Sequence, residues 1–312
     1  MPNRAEAAAD LAGAEVPPWV FAMLGTTAAT AAASSWSPRG EGQLQRRLDG
    51  ATKTLWSLRV AGALSMDEAR FERACAAAYR TIGQQITESS RPFAVRWWNF
   101  IPGILEPLGQ LEHRYMVFNA GRFQALADAG STQFGRLATA SGVGHGGDEF
   151  VLHCLAARVA GRQIENPRQV PAWRYSLRYG PKPPCFARAT HIERGEPRRP
   201  WLLVGGTASV CGEDSCHRDD LQGQLRETLH NLAALVQAAE GREVAGAVVD
   251  ADAWLSRYRE LRVYYPRREQ GAELEAELRR RLGPEVRLEM VPADLCRPEL
   301  LVEIEGLAEL RV

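Results

Sequence analysis

The chain has 312 residues, of which 45% are hydrophobic and 24% charged, and its 38 basic and 38 acidic side chains give a net charge of zero. This composition is typical of a globular protein with one large or two ordinary domains. The balanced charge, without a basic arm, a zinc-finger pattern or an RNA-recognition signature, excludes nucleic acid as the expected partner.

The cysteines and the N-terminus indicate the cellular compartment. The six cysteines are Cys75, Cys154, Cys185, Cys211, Cys216 and Cys296. Their scatter along a long chain predicts reduced thiols rather than a disulfide framework. The apolar segment Trp19 to Leu24 is too short for a secretory signal and follows acidic residues. No apolar run has the length of a membrane span, so we predict a cytoplasmic protein without a membrane partner.

The first half of the chain predicts a lead-in followed by an N-terminal α+β domain. Residues 1–50 are rich in Ala, Ser, Gly and Arg, which predicts an irregular lead-in, and the domain is expected over 51–193. After the strand TLWSLRVAGALS, Ser65 and Glu68 form a capping box for a helix over about 66–88. Further strands are predicted in PFAVRWWNF, HRYMVFNAG, AWRYSLRYG and CFARATHIE, and a second helix over about 148–160.

The second half has a regular alternation of strands and helices. The charged, proline-containing segment 194–200 predicts a domain boundary, with a second domain over 200–312. The strand WLLVGGTASVCG precedes a helix that Asp219 or Asp220 caps and Gly241 ends. There follow the strand VAGAVVDA, a short helix around Trp254, the strand LRVYYP, the helix EQGAELEAELRRRLG, and the strands VRLEMVP and LLVEIEGL. This order favours an α+β class with helices packed on one face of a sheet.

Metal and cofactor motifs are weak in this sequence. In GVGHGGDEFVLH, His145, Glu149 and His153 are four residues apart, as on one face of a metal-binding helix, but the surrounding glycines place His145 in a turn. The segment CGEDSCH lacks a second spaced ligand pair. The glycine-rich segments have neither dinucleotide nor Walker spacing, and no nucleophile elbow is present. We predict no metal and no cofactor.

Two sets of polar residues are candidates for chemistry. In the C-terminal stretch LCRPELLVEIEG, an extended backbone puts Glu303 and Glu305 on one face. They are either a solvated sheet surface or include a proton donor, since Glu is rarely buried without a partner. Arg188 lies close in sequence to Tyr175 and Tyr179, and a guanidinium in such a place can clamp a carboxylate through two parallel hydrogen bonds. The alternative is a solvated cross-strand pair.

Several long segments, in order, resemble the chorismatase family. They are RWWNFIPGI, RYMVFNAGR, ENPRQVPAWRYSLRYGPKPPCFARA, LLVGGTASVCGE and CRPELLVEIEG, and the resemblance runs from about residue 50 to the C-terminus. The second half also resembles the RidA/YjgF fold, through Gln224 and Asn231-Leu232 and the final V-E-I-E strand. The resemblance implies two RidA/YjgF-like domains with mixed β-sheets and the active site between the two. RidA-like folds often trimerise, but a fused chain favours a monomer, with a trimer possible.

The resemblance also implies an activity and a set of site residues. Chorismatases convert chorismate, without a cofactor, into pyruvate and a six-membered-ring acid. The implied residues are Glu303 and Cys296 for catalysis, and Arg188, Tyr179, Ala208, Tyr175 and the weaker candidate Arg267 for substrate binding. Alanine at position 208 is similar to diene-forming members and cysteine at position 296 to 3-hydroxybenzoate-forming members. This mixed pattern implies a branch that makes 3- and 4-hydroxybenzoate.

The implied reaction sets a requirement on the acid. Cleaving an enol ether requires a proton on its methylene carbon, so the acid must be protonated near neutral pH. The pKa of a glutamate, ordinarily about 4.3, must therefore be raised by burial or by a nearby carboxylate such as Glu305. The alternatives are a diene-forming chorismatase, a RidA-like imine deaminase and a non-catalytic protein that binds aromatic acids. The additional N-terminal half argues against the deaminase, and the presence of Glu303 argues against the binding protein.

Overall fold

The fold is described from a computed structural model. The structure describes residues 14–39, 42–129, 137–193, 200–242 and 250–311. The helices in these residues are α1 (Pro18–Leu24), α2 (Ala28–Ala32), α3 (Glu68–Thr87), α4 (Arg114–Asp128), α5 (Leu221–Ala239), α6 (Ala251–Leu255) and α7 (Gly271–Leu282). None of these described helices combines the length and the apolar character that a membrane span requires.

The strands form two six-stranded sheets and a short hairpin. They are β1 (Ser37–Pro38), β2 (Gln43–Asp49), β3 (Lys53–Val60), β4 (Phe93–Pro102), β5 (Thr139–His145), β6 (Phe150–Ala157), β7 (Arg162–Ile164), β8 (Ala189–Ile192), β9 (Trp201–Ala208), β10 (Val210–Cys211), β11 (Asp214–Ser215), β12 (Tyr258–Tyr265), β13 (Arg287–Pro292) and β14 (Glu303–Glu309). The first sheet has the order β1-β2-β3-β6-β4-β5, and the second has the order β13-β12-β14-β9-β8-β7. Strands β10 and β11 form the hairpin.

The chain divides into two compact units. The first comprises Met1–Arg136, Gly142–Ala160 and Ser176–Cys185; the second comprises Leu137–Ser141, Gly161–Tyr175 and Phe186–Val312. In the first unit, α3 packs on the sheet through aromatic pairs. The ring centres of Phe71 and Phe150 are 6.1 Å apart in an edge-to-face arrangement, and those of Tyr79 and Trp97 are 4.7 Å apart.

The second unit has its apolar core on one face of its sheet. This sheet is mixed, because β12 pairs parallel with β13 and antiparallel with β14. Val204, Val263 and Ile304, from three adjacent strands, pack in one buried cluster with Leu225 and Leu229 of α5. Since alternate residues of a strand point to opposite faces, the neighbours of these apolar residues point away from the helices. The predicted α+β class, with helices packed on a face of a mixed sheet, is confirmed.

A β-bulge interrupts the pairing of β9 with β14. Ile304 pairs with Thr207, but Gly306 pairs with Val204, so two residues of β9, Gly205 and Gly206, oppose one residue of β14. A Cβ at Gly205 would lie 2.8 Å from the carbonyl oxygen of Ala140. Gly205 is therefore required by close backbone packing, and bulges of this kind often re-aim side chains near active sites.

The structure confirms most elements predicted for the second half. Asp220 caps α5 by accepting a hydrogen bond from the Gly223 amide, and Gly241 follows the helix with φ of +71°. The helix near Trp254 is α6, and the last strands lie where they were predicted. The predicted boundary segment lies outside the described residues over 194–199, and so does most of the strand VAGAVVDA, over 243–249.

Several predictions for the first half are wrong. The segment HRYMVFNAG forms the N-cap and the first half of α4, because its buried residues, such as Val117, Phe118 and Gly121, have helical spacing. The helix predicted over 148–160 is strand β6, which lies between β3 and β4 and is buried along its whole length. A strand buried on both faces gives a continuous apolar run, which periodicity does not separate from a helix.

Other differences are local. The segment AWRYSLRYG forms two 3₁₀ turns, Ala172–Arg174 and Leu177–Tyr179, instead of a strand, since Pro171 and Pro181 flank it. The N-cap of α3 is Asp67, not Ser65. The part of the predicted irregular lead-in that the structure describes contains α1, α2, β1 and β2.

Candidate active site

Strand register places the two C-terminal glutamates on the sheet face opposite the core of the second unit. Glu303 pairs with Ala208 on β9 and with Tyr264 on β12, and Glu305 pairs with Arg262 on β12. Paired residues point to the same side of a sheet. We call this side, with Ala208, Arg262, Tyr264, Glu303 and Glu305, the polar face.

Glu303 is buried in the polar face and lies against the bulge. The residue is only 5% exposed to solvent. A Cβ added to Gly206 would overlap Oε1 of Glu303, so the absence of a side chain at position 206 creates the space for this carboxyl group. The proposed acid is therefore held in a slot formed by backbone, which is not the solvated sheet surface considered from the sequence.

Glu305 is fully buried and has several polar partners. Ser141 Oγ donates a hydrogen bond to its Oε2, and Tyr264 Oη donates to its Oε1 at 3.0 Å. Burial, followed by the charge of Glu305, raises the pKa of the Tyr264 hydroxyl well above its usual range, so this hydroxyl remains a donor. Glu305 thus has the surroundings of an anchored hydrogen-bond acceptor.

Arg262 supplies positive charge to the same cluster. Its guanidinium donates two hydrogen bonds to Glu289 on β13, at 2.7 and 2.8 Å, and Nη1 lies 3.5 Å from Tyr264 Oη. The residue is 4% exposed. Burial would lower its pKa, but Tyr264, Glu289 and Glu305 raise it above the ordinary arginine value. The strands β12, β13 and β14 are therefore linked by alternating charges across the polar face.

Cys296 precedes β14 and is electrostatically coupled to Glu303. Burial, with the negative charges of Glu303 and Glu299, raises the pKa of its thiol to about 12, while Arg297 and Arg188 act in the opposite direction. The side chain is therefore a protonated thiol at neutral pH. It can donate a weak hydrogen bond, but it has little thiolate character.

Arg188 lies just before β8 and is 7% exposed. Its Nη2 donates to Tyr175 Oη at 2.5 Å and to the Val170 carbonyl at 3.2 Å, and its guanidinium lies 5.2 Å from the ring centre of Phe186. Its Nε is buried without a hydrogen-bond partner. The charge of Arg188 also acts on Glu165, whose Oε1 accepts a hydrogen bond from the Arg188 amide at 3.4 Å. The planar guanidinium has the donor geometry that suits a carboxylate ligand.

The remaining predicted residues have different surroundings. Tyr175 lies in the second unit, where the guanidinium groups of Arg188 and Arg297 approach its ring centre to 5.5 and 5.4 Å. Tyr179 ends a 3₁₀ turn of the first unit. Arg267 is exposed and follows β12. The structure therefore brings Glu303, Ala208, Cys296, Arg188 and Tyr175 into one unit, and Arg267 is not buried with them.

Sequence reasoning missed four residues of this region: Ser141, Gly206, Arg262 and Arg297. Arg262 had a local signal, because an arginine interrupts the apolar strand LRVYYP. Gly206 also had one, because a glycine doublet within a strand often marks a bulge. Arg297 donates to the Glu213 carbonyl and to Ser215 Oγ in the β10–β11 hairpin. Nothing in the sequence links Ser141 to Glu305.

The possible metal ligands are engaged by other partners, since Glu149 pairs with Arg59 and both histidines have hydrogen-bond partners. His145 Nε2 lies 2.7 Å from the Glu149 carbonyl, and His153 is buried between Ser57 Oγ and the Ala14 carbonyl. Burial lowers the pKa of His153 to about 4. Among the residues the structure describes, no three His, Cys, Asp or Glu side chains are grouped as metal ligands.

The chain is similar to known enzymes over most of its length. The family described as "Chorismatase FkbO/Hyg5-like, N-terminal" matches residues 41–156. The chain is 34% identical to the 3-hydroxybenzoate synthase of Streptomyces hygroscopicus over 240 residues, which cover 76% of this chain and 69% of that protein. It is 32% identical to a chorismatase of Streptomyces rapamycinicus over 242 residues, or 76% and 70% of the two chains. The chain belongs to the chorismatase family.

The solved structure of a chorismatase agrees with this membership. A crystal structure of a chorismatase at 1.08 Å resolution matches with a TM-score of 0.74 and 28% identity, covering 88% of this chain and 79% of that chain. A member of the YjgF/YER057c/UK114 family from Mycobacterium tuberculosis also aligns, at 24% identity over 40% of this chain and 86% of its own, with a TM-score of 0.29. The resemblance to chorismatases that five sequence segments indicated is confirmed.

Proposed function

We propose that this chorismatase cleaves chorismate to pyruvate and 3- and 4-hydroxybenzoate without a cofactor, with Glu303 as the general acid. The observation that supports it most is a buried carboxyl group on the polar face, seated over Gly206, in a chain that is 34% identical to a 3-hydroxybenzoate synthase. General acid catalysis is the step that an enol ether requires.

In the proposed reaction, the Glu303 carboxyl group transfers its proton to the methylene carbon of the enol-pyruvyl ether. This carbon becomes the methyl group of pyruvate, and the adjacent ether carbon becomes an oxocarbenium ion that an oxygen nucleophile attacks. Pyruvate and a hydroxybenzoate together contain all the atoms of chorismate, so that outcome consumes no net water. The diene acid requires one water molecule. A proton lost from the ring during aromatisation restores the acid.

Arg188 binds one substrate carboxylate in this proposal. Its guanidinium is buried, has an Nε without a hydrogen-bond partner among the described residues, and is oriented by Tyr175 Oη and the Val170 carbonyl. Such a group gains much of its binding free energy only when an anion completes its hydrogen bonds. Tyr179 and Arg267 remain predictions for substrate binding, and the proposal does not depend on them.

Ala208 and Cys296 affect the product in this proposal. Ala208 is the direct strand partner of Glu303, and the charge of Glu303 acts on Cys296. Because the Cys296 pKa is about 12, we assign Cys296 the role of a neutral thiol that packs against the substrate ring or donates a hydrogen bond to it. A cysteine can also act as a nucleophile, but that role requires the thiolate.

The test is to incubate the purified protein with chorismate, before and after treatment with a chelator, and to quantify products by chromatography with mass detection. We expect pyruvate in amounts equal to the total of the ring acids, at the same rate in both samples. Loss of turnover on chelation, restored by a metal, would contradict the cofactor-free proposal. Size-exclusion chromatography with light scattering tests the proposed monomer in the same sample, and fractionation of the source cells tests the proposed cytoplasmic location.

A further inference from the structure

Glu305 shares the polar face with Glu303 but differs from it in its partners. We propose that Glu305 is a positioning residue, which acts through Ser141 to hold the Gly205–Gly206 bulge that forms the slot for the Glu303 carboxyl group. The inference rests on the proposed role of Glu303 and adds two residues, Ser141 and Glu305, to the machinery of that reaction.

The connection between the two glutamates runs through Ser141. Ser141 Oγ donates a hydrogen bond to Glu305 Oε2. Ser141 Oγ also accepts a hydrogen bond from the Gly206 amide at 2.9 Å. Both Ser141 and Glu305 are buried. An amide in the interior of a sheet is unfavourable without an acceptor, and Ser141 Oγ supplies the acceptor for the Gly206 amide.

The slot depends on the position of Gly206. A Cβ at residue 206 would overlap Oε1 of Glu303, so the carboxyl group lies directly over this glycine. A shift of the bulge therefore moves the surface against which the acid rests. Misplacing a reacting group by about 1 Å can reduce a rate about 10²-fold.

Glu305 itself is immobilised from the opposite side. Tyr264 Oη donates to its Oε1, and Arg262, its strand partner, is fixed by two hydrogen bonds to Glu289. A side chain whose two carboxylate oxygens are held from different strands is a rigid anchor. The anchor does not depend on Glu303, which is why two glutamates on one face can have different roles.

The experiment measures kcat and KM for chorismate in Ser141→Ala, Glu305→Gln and the double variant. We expect each single variant to lower kcat about 10- to 100-fold with KM within about twofold. The kcat of the double variant should be no lower than that of the less active single variant, because both changes break the same connection. Ser141→Thr, which keeps the hydroxyl, should restore most of kcat.

Thr190→Val is the matched control. Thr190 is also a buried hydroxyl of the second unit, and the hydrogen bonds that the structure gives its Oγ1 are to Thr139, to Oγ1 at 2.7 Å and to the amide at 3.3 Å. We expect Thr190→Val to lower the melting temperature about as much as Ser141→Ala while kcat stays within twofold. If Ser141→Ala also lowers only the melting temperature, the hydrogen bond is structural and the proposal is overturned.

The two proposals fail in different ways. If Glu303→Gln retains turnover, Glu303 is not the acid, and both proposals are wrong. If Glu303→Gln abolishes turnover while Ser141→Ala and Glu305→Gln keep wild-type kcat, only the positioning role is wrong. Should Glu305→Gln fail to fold, Ser141→Ala and Gly206→Ala decide, since the latter places a methyl group in the slot and is expected to lower kcat at least 100-fold.

Discussion

The two faces of strand β14 differ in what holds them. Ile304 points into an apolar cluster with α5, whereas its neighbours Glu303 and Glu305 point to the polar face. The apolar face needs only shape and burial, worth roughly 1.5–3 kcal/mol for a side chain of this size. The polar face instead removes charged groups from water, which is unfavourable unless each one finds a partner.

The comparison shows how the polar residues divide. Glu305 and Arg262 have partners that hold them in place, namely Ser141, Tyr264 and Glu289. Arg188, in the same unit, is also buried and interacts with the charge of Glu165, but its Nε has no hydrogen-bond partner among the described residues. A buried guanidinium with an unsatisfied donor is more consistent with a ligand site than with stabilisation of the fold. The face opposite the core is therefore where function is expected.

The largest effect is expected at Glu303. Glu303→Gln keeps the shape of the side chain but has no proton to donate, so kcat should fall by about 10²–10⁴-fold while chorismate still binds. Glu309→Gln, which removes a carboxylate near the end of the same strand, is the control and should stay within twofold. Steady-state kinetics and isothermal titration separate the two parameters. If Glu303→Gln turns over chorismate within a few-fold of wild type, Glu303 is not the acid, and the polar face of β14 has no demonstrated catalytic role.

The apolar face is expected to respond in stability instead. Leu229→Ala on α5 removes a fully buried side chain from the core of the second unit and should reduce the free energy of unfolding by about 2–5 kcal/mol. The kcat of the folded fraction should be unchanged. Denaturant titration and kinetics below the transition test this together. A loss of kcat without a loss of stability would mean that the core face also takes part in catalysis.

Arg188→Ala is expected to affect substrate binding. Hydrogen bonds to a charged group are worth about 1.5–3 kcal/mol, which corresponds to a rise in KM of about 10- to 100-fold. Arg188→Lys should recover only part of the lost substrate affinity, since an ammonium group lacks the paired donors of a guanidinium. The control is Arg287→Ala, whose side chain is 82% exposed on β13. An unchanged KM in Arg188→Ala would assign the carboxylate to another cation.

The product ratio should depend on Cys296. If its thiol contacts the ring, Cys296→Ala changes the proportions of 3-hydroxybenzoate, 4-hydroxybenzoate and the diene acid, while pyruvate release continues. Because the thiol is neutral at pH 7, Cys296→Ser, which keeps a donor, should remain closer to wild type. Chromatography of the ring acids measures this. An identical ratio in both variants would show that Cys296 only packs.

The smallest effect concerns stability at high pH. Burial raises the Cys296 pKa from 9.0 to about 12, so the unfolded thiol ionises first and the unfolded state is favoured as pH rises. This contribution is therefore fully present below pH 9 and is lost between about pH 9 and 12. Cys296→Ala should lose less stability over that interval than wild type in denaturant titrations. Parallel curves for both proteins would mean that the thiol is not desolvated in the fold.

Local patterns predicted the parts of the fold that local physics determines. The cap Asp220, the terminator Gly241 and the final strands follow from short-range rules, and the structure confirms them. The segment that forms β6 was misread because a strand covered on both faces has no alternation. The partnership of Ser141 with Glu305 joins residues 164 positions apart, so only the three-dimensional fold reveals it. Glu303 was predicted through family resemblance, and the local pattern left it open.

The most direct test of the central claim follows the proton that Glu303 donates. Wild-type protein turns over chorismate in D₂O, and the pyruvate is reduced to lactate as it forms, to prevent exchange of its methyl hydrogens. The acid-catalysed route predicts one deuterium in that methyl group, because a carboxyl proton exchanges with solvent. Pyruvate without deuterium would show that a carbon-bound ring hydrogen had moved directly to the methylene carbon, and would contradict the role of Glu303 as the acid.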